Sequence, residues 1–206
     1  MSRKARPQLA LKDFGWSRAP KGFYRLWDDN HVQRVGWYGT TETYKPLDGH
    51  ENPLGQFASL DSPEELLEFV RKFGPLTFEG MDGSKGENVE SVLQQARLVS
   101  KLLRAAKHEH YPLDLPEEPP AIGLAIRIGE AGPEGPLLKL GPRTLLDAIW
   151  LQLAHVLAGD GEIRHCLHCG VSFAAGGQSG RRQDAKFCSD EHRIAFNNER
   201  RIAGRG

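Results

Sequence analysis

The 206-residue chain has no excess of either charge: 27 Lys and Arg side chains stand against 27 Asp and Glu. Proteins that hold polyanions through their overall field are globally basic, so any such role here falls to a local patch. The chain also lacks a run approaching the ~18–20 uninterrupted apolar residues of a membrane helix. Its first 21 residues carry six basic side chains without the apolar segment of a secretory leader. Cysteine is scarce, and the three present, an odd number, argue against a disulfide framework and for a reducing, cytoplasmic setting. No internal repeat is present. With 39% hydrophobic side chains the chain can still bury a core, which excludes disorder throughout. The length suits one medium domain, or a core domain with a small appendage.

Several catalytic signatures are missing as well. His50-Glu51 and His108-Glu109-His110 lack the second histidine of a zinc-protease helix. No H-x-E precedes a P-C-x-x-C, the deaminase arrangement. Gly83-Ser84-Lys85 follows Gly80 too closely for a phosphate-binding loop, and no G-x-S-x-G supplies a hydrolase nucleophile. Trp16, Trp27, Trp37 and Trp150 read as core aromatics.

The chain divides by composition. Residues 1–21, basic and without period, are expected to form a loosely held arm; residues 22–160 a Cys-free α+β body; residues 161–206 a Cys/His-rich tail. In the body, Phe23 to Trp27 and Val32 to Tyr38 flank Asp28-Asp29-Asn30, a hairpin pattern, with one more strand expected at Thr41 to Tyr44. Ser62-Pro63-Glu64-Glu65 reads as a capping box opening a helix that buries Leu66, Leu67, Val70 and Phe73 and stops at Gly74-Pro75. The loop Gly80 to Gly86 is expected to be mobile. Glu87 to Lys107 shows a helical apolar period, and prolines 112, 116, 119 and 120 form a spacer. Two strands are expected at Ala121 to Ile128 and Leu137 to Leu140. The most hydrophobic helix follows from Pro142 to Ala158, with Asp147 and His155 on its narrow polar stripe.

All three cysteines fall in the tail. Cys166-x-x-Cys169 forms a knuckle closed by Gly170, and Cys188-x-x-x-His192 places two further ligands four residues apart, on one face of a helix's first turn. Ser189 or Asp190 can cap that turn. Val171 to Phe173 and Ala185 to Phe187 are expected as paired strands about a Gly-rich tip. Knuckle, hairpin and helix-borne ligands describe a treble-clef zinc finger with a Cys3His set and a structural Zn2+, since four protein ligands leave no open position. His165 and His168 also lie within reach in sequence as alternatives to His192. The expected architecture is therefore α+β, a mainly helical body with a few strands followed by a C-terminal treble clef.

Cys166-x-x-Cys169 with Phe173, then Arg181-Arg182, Lys186-Phe187-Cys188-Ser189 and Arg193, resembles the tail of uncharacterised bacterial CGNR-type zinc-finger proteins. Here His192 stands where that family has its fourth cysteine, and the Cys-Gly-Asn-Arg signature is missing. The resemblance covers about residues 164–201 and implies a zinc-dependent nucleic-acid-binding finger beside a ligand-sensing body. The residues point the same way. Between 181 and 206, seven basic side chains face four acids, and Arg193, Asn197, Arg200 and Arg201 share one helix face. Arg and Asn read base edges or clamp phosphates, and Arg181, Arg182 and Lys186 add cations near the hairpin. DNA or RNA is the first expected partner, and a protein-docking adaptor is the alternative. A treble-clef nuclease is the third reading. It needs a hairpin histidine as general base, yet no histidine lies between Cys169 and His192, and Asp184 stands alone as a further cation ligand.

Overall fold

Asn30 and His31 both take positive φ, 50° and 68°, the pair of left-handed residues that a tight two-residue hairpin turn requires. They join strand β3 (Phe23–Asp29) to β4 (Val32–Tyr38), aligned so that Tyr24 faces Trp37 and Leu26 faces Val35 on the core side. The computed structural model describes residues 8–9, 14–47, 53–78, 85–106, 121–132, 135–158, 162–170, 172–176 and 182–203. The expected loop at 80–86 and the proline spacer fall outside these residues, apart from the loop's last two positions. The fold class is α+β, as expected.

Before β3 come β1 (Gln8–Leu9) and β2 (Trp16–Arg18), and after β4 comes β5 (Glu42–Tyr44), antiparallel to β2. This corrects the expected arm. From Phe14 onward the chain belongs to the body, because Phe14, Trp16 and Ala19 are buried and the segment caps helix α2 (Pro63–Phe73). A helix end leaves carbonyls without intrahelical donors. Here Arg18 reaches the carbonyl of Lys72 at 3.3 Å and the Tyr44 hydroxyl donates to that of Phe73 at 2.7 Å, while just past the helix Trp16 Nε1 donates to the Pro75 carbonyl at 2.6 Å. Gly74 stops the helix at φ 80°, with Ser17 O only 2.3 Å from where a Cβ would stand. At the other end the Ser62 hydroxyl accepts the Glu65 N–H, while the Glu65 carboxylate takes the N–H of Asp61, one residue outside the expected box.

Helix α1 (Pro53–Ala58) was not visible in the sequence pattern, yet it buries Leu54 and Phe57. Strand β6 (Glu87–Asn88) pairs with β4 and runs straight into helix α3 (Val89–Ala105), whose first turn Asn88 caps by accepting the Ser91 N–H. The buried Glu87 carboxylate takes the Thr77 N–H, tying the end of the α2 segment to this junction. Strands β7 (Leu124–Gly132) and β8 (Gly135–Pro142) are longer than expected, and β1 adds to β8 in parallel. In helix α4 (Leu145–Leu157) Thr144 and Asp147 form a true capping box. Asp147 also accepts the Gly123 N–H at 2.8 Å, so it braces the helix start. One continuous core joins α1 to α4 with the β3–β4 sheet, and takes in Trp16, Trp37 and Trp150. Among the described residues no helix is long and apolar enough to cross a membrane.

The tail follows as β9 (Glu162–His165), β10 (Ser172–Ala175) and helix α5 (Asp190–Ala203). β10 packs on α1, which seats the tail on the body. The expected partner strands are corrected: β10 pairs with β9, not with residues 185–187, which are not in a strand. The segment 185–187 follows the knuckle instead, through one bond from the Leu167 N–H to the Lys186 carbonyl.

Candidate metal centre

β9 and β10 run antiparallel with His165 opposite Ser172, so the chain must reverse between them. It does so at Gly170, whose φ of 73° lies where side-chain-bearing residues are disfavoured and whose N–H bonds the Cys166 carbonyl at 2.9 Å. That turn carries Cys169 back beside Cys166. Phe173 on β10 lies beneath, fully buried, and with Cys166, Ala175 and Cys188 makes a small core separate from the body's.

The second pair of ligands sits at the start of α5. Ser189 is the N-cap: its hydroxyl accepts the His192 N–H at 3.1 Å and its carbonyl the Arg193 N–H at 3.2 Å. Cys188 thus stands one residue before the cap and only His192 is inside the first turn, a correction to the expected placement of both on the helix. The four-residue separation still turns both side chains to one point. Cys188 Sγ lies 3.0 Å from His192 Nδ1, Cys166 Sγ lies 3.7 Å from the same nitrogen, and Cys169 Sγ lies 3.7 Å from Cys188 Sγ. A disulfide needs about 2.05 Å, and all three thiols are free. The four ligand atoms lie within 4.8 Å of one another, a cluster that can hold a metal ion.

The electrostatics fit a cluster built around a cation. Burial, the largest influence on Cys166, opposes its thiolate, but the N–H groups of Cys188, Cys169 and His168 and the His192 ring outweigh it and bring the thiol down to about 6. Burial pushes the Cys188 thiol up, and hydrogen bonding to Cys169 and Cys166 and the negative charge of those sulfurs push it further. Three facing sulfurs cannot all ionise without positive charge among them, and a divalent cation held there would supply it.

His192, not His165 or His168, completes the cluster. His165 Nδ1 lies 3.1 Å from the Gly170 carbonyl. The His168 ring packs on that of His192, centroids 4.9 Å apart, with its Nδ1 3.5 Å from a Glu199 carboxylate oxygen. His168 therefore packs against the His192 imidazole from outside the cluster.

Of the candidate nucleic-acid contacts, Arg181 lies outside the described residues. Arg182, Lys186, Arg193, Asn197, Arg200 and Arg201 are all exposed. At 100° per residue, Arg193, Asn197, Arg200 and Arg201 of α5 fall within an arc of about 100°, with Arg201 opposite His192 and Arg200 about 80° from it. Arg182 pairs with Asp184 at 3.6 Å, Arg193 with Asp190 at 3.3 Å, and Arg200 lies over the Phe196 ring at 6.0 Å. What sequence reasoning missed is the backbone bond from Leu167 to Lys186 and the seat on α1, both long-range and without a local signal. Comparison with protein-family models, curated proteins and solved structures found no match to this chain.

Proposed function

We propose that the chain is a cytoplasmic zinc protein whose Cys3His centre holds a structural Zn2+ through Cys166, Cys169, Cys188 and His192, and whose α5 presents its basic face to nucleic acid. The observation that carries the metal reading is the separation of the ligand atoms. Zinc–sulfur bonds of about 2.3 Å and zinc–nitrogen bonds of about 2.0–2.1 Å give a tetrahedron with edges of about 3.8 Å between sulfurs and about 3.6 Å from sulfur to nitrogen. Two of the three contacts above, at 3.7 Å, sit on those edges. Soft thiolates with one imidazole favour zinc over calcium or magnesium, which take oxygen ligands. Four protein ligands leave no position for substrate, so the ion organises the tail as in treble-clef fingers. Binding such an ion stabilises small fingers by about 10–16 kcal/mol.

Nucleic-acid contact is supported by position. His192 is half-buried on α5, while Arg193, Asn197, Arg200 and Arg201, about 80–180° around the helix from it, are exposed to solvent. Titration of labelled DNA and RNA duplexes across a salt series tests it. Arg200→Ala/Arg201→Ala should weaken binding and reduce the slope of log K against log salt by about two, because each lost phosphate contact releases one fewer counterion. Binding that is absent, or that does not respond to salt, moves the reading to a protein-docking adaptor. The exposed Leu167, Ile194 and Ile202 support that second reading, since they leave apolar surface on the same tail.

A further inference from the structure

We propose that the outward face of the β3–β4 sheet is a second binding surface, a stacking platform for the unpaired bases of single-stranded nucleic acid. The inference concerns the body and stands independently of the finger. Directly opposed residues of an antiparallel pair share a face, and the register sets Phe23 against Tyr38, Arg25 against Gly36 and Trp27 against Arg34. The alternate residues Tyr24, Val35 and Trp37 are buried in the core, so this row faces solvent. Phe23 is 68% exposed and Tyr38 45%, a cross-strand aromatic pair left open to water. The Arg25 guanidinium lies 5.1 Å from the Trp27 ring centre and 5.2 Å from that of Tyr38, and donates to the Tyr38 hydroxyl at 3.1 Å. Among the described residues no carboxylate pairs with it.

The Trp27 ring lies across two glycines. A Cβ at Gly36 would stand 2.7 Å from it and one at Gly86 2.3 Å, so both positions are kept bare where the indole lies. Along β3 two-residue steps of about 6.6–6.8 Å separate Phe23, Arg25 and Trp27, a strip about 13 Å long. Its surface is aromatic rings and the Arg25 guanidinium, with Val32 the one aliphatic side chain in the row, and the turn end is closed by Arg34 paired with Asp29 at 3.1 Å. A protein-docking face draws its energy from a contiguous apolar area with a desolvated centre. A strip of ring faces around an unneutralised Arg25 instead matches bases, which stack on aromatic and guanidinium planes, and the phosphates that link them. A duplex hides its base faces, so the ligand class is the single strand.

The test uses the full chain with fluorescein-labelled oligo(dT) and oligo(U), read by anisotropy and by quenching of intrinsic tryptophan fluorescence, beside a duplex of matched length. The proposal expects the single strands to bind and quench, and Phe23→Ala and Tyr38→Ala each to weaken them on the order of 10-fold. Phe23→Tyr, which keeps a ring, should bind like wild type, and that separates stacking from damage to the hairpin. Zinc removal, which disables the finger, should leave single-strand binding in place, so failure here and failure of the finger reading are told apart. Single strands that do not bind at low salt, or that bind Phe23→Ala and Tyr38→Ala as tightly as wild type, overturn the proposal. Self-association abolished by Phe23→Ala, with no effect of oligonucleotide, also overturns it and assigns the face to a second copy of the chain.

Discussion

Replacing Cys188 with Ser should unfold the tail and leave the body standing. The tail's own core holds one fully buried large apolar side chain, Phe173, with Cys166, Ala175 and Cys188 around it and the half-buried Phe187 packed on it. Burying one Phe contributes about 1.5–3 kcal/mol, whereas a structural zinc contributes about 10–16 kcal/mol. Loss of one thiolate therefore removes the dominant stabilisation, and the 14 residues of α5 have little else to hold them helical. Isolated helices of this length are marginal in water. The body has its own continuous core, and all four tryptophans, Trp16, Trp27, Trp37 and Trp150, lie in it or against its sheet. Two optical signals thus report two regions. In Cys188→Ser, or in wild type treated with a chelator, far-ultraviolet ellipticity should fall by the contribution of α5 while tryptophan emission stays native. Zinc content should drop from one per chain to near zero. Wild type with no bound metal after reduced purification, or a variant with unchanged ellipticity and metal content, would refute the argument.

Three further outcomes concern the body. Gly74→Ala should destabilise it by at least about 2–3 kcal/mol in urea unfolding, because the backbone there is essentially restricted to glycine and an added Cβ meets Ser17 O. Trp16→Phe keeps most of the buried ring but leaves the Pro75 carbonyl without its 2.6 Å donor, and should cost about 1–3 kcal/mol by the same measurement. Thr144→Ala should cost about 1–2 kcal/mol and lower the melting temperature, since it removes the acceptor for the Asp147 N–H at the start of α4.

Much of this protein was legible from local chemistry. Helices α2, α3 and α4 announce themselves through apolar period, and α2 also through its cap, Ser62 before Pro63; the caps Asn88 of α3 and Thr144 with Asp147 of α4 emerged only with the structure. The β3–β4 hairpin carries its turn between two aromatic and β-branched runs. Spacing pairs Cys166 with Cys169 and Cys188 with His192, because a C-x-x-C knuckle and a four-residue step across a helix start each preset which side chains meet, while it leaves His165 and His168 open as alternatives to His192. Tertiary structure decided whatever depends on a distant partner. Residues 14–19 look like an unattached arm until Arg18 finds the Lys72 carbonyl at the end of α2 and Trp16 the Pro75 carbonyl just beyond it. The six-residue α1 is too short to hold itself helical and exists through the burial of Leu54 and Phe57. The choice of β9 over residues 185–187 as the partner of β10, and of His192 over two nearer histidines as the fourth ligand, rests on chain reversal at Gly170 and capping at Ser189 acting together. A sequence specifies its short-range hydrogen bonds almost directly. Contacts between segments far apart in the chain exist once the whole core has set their distance.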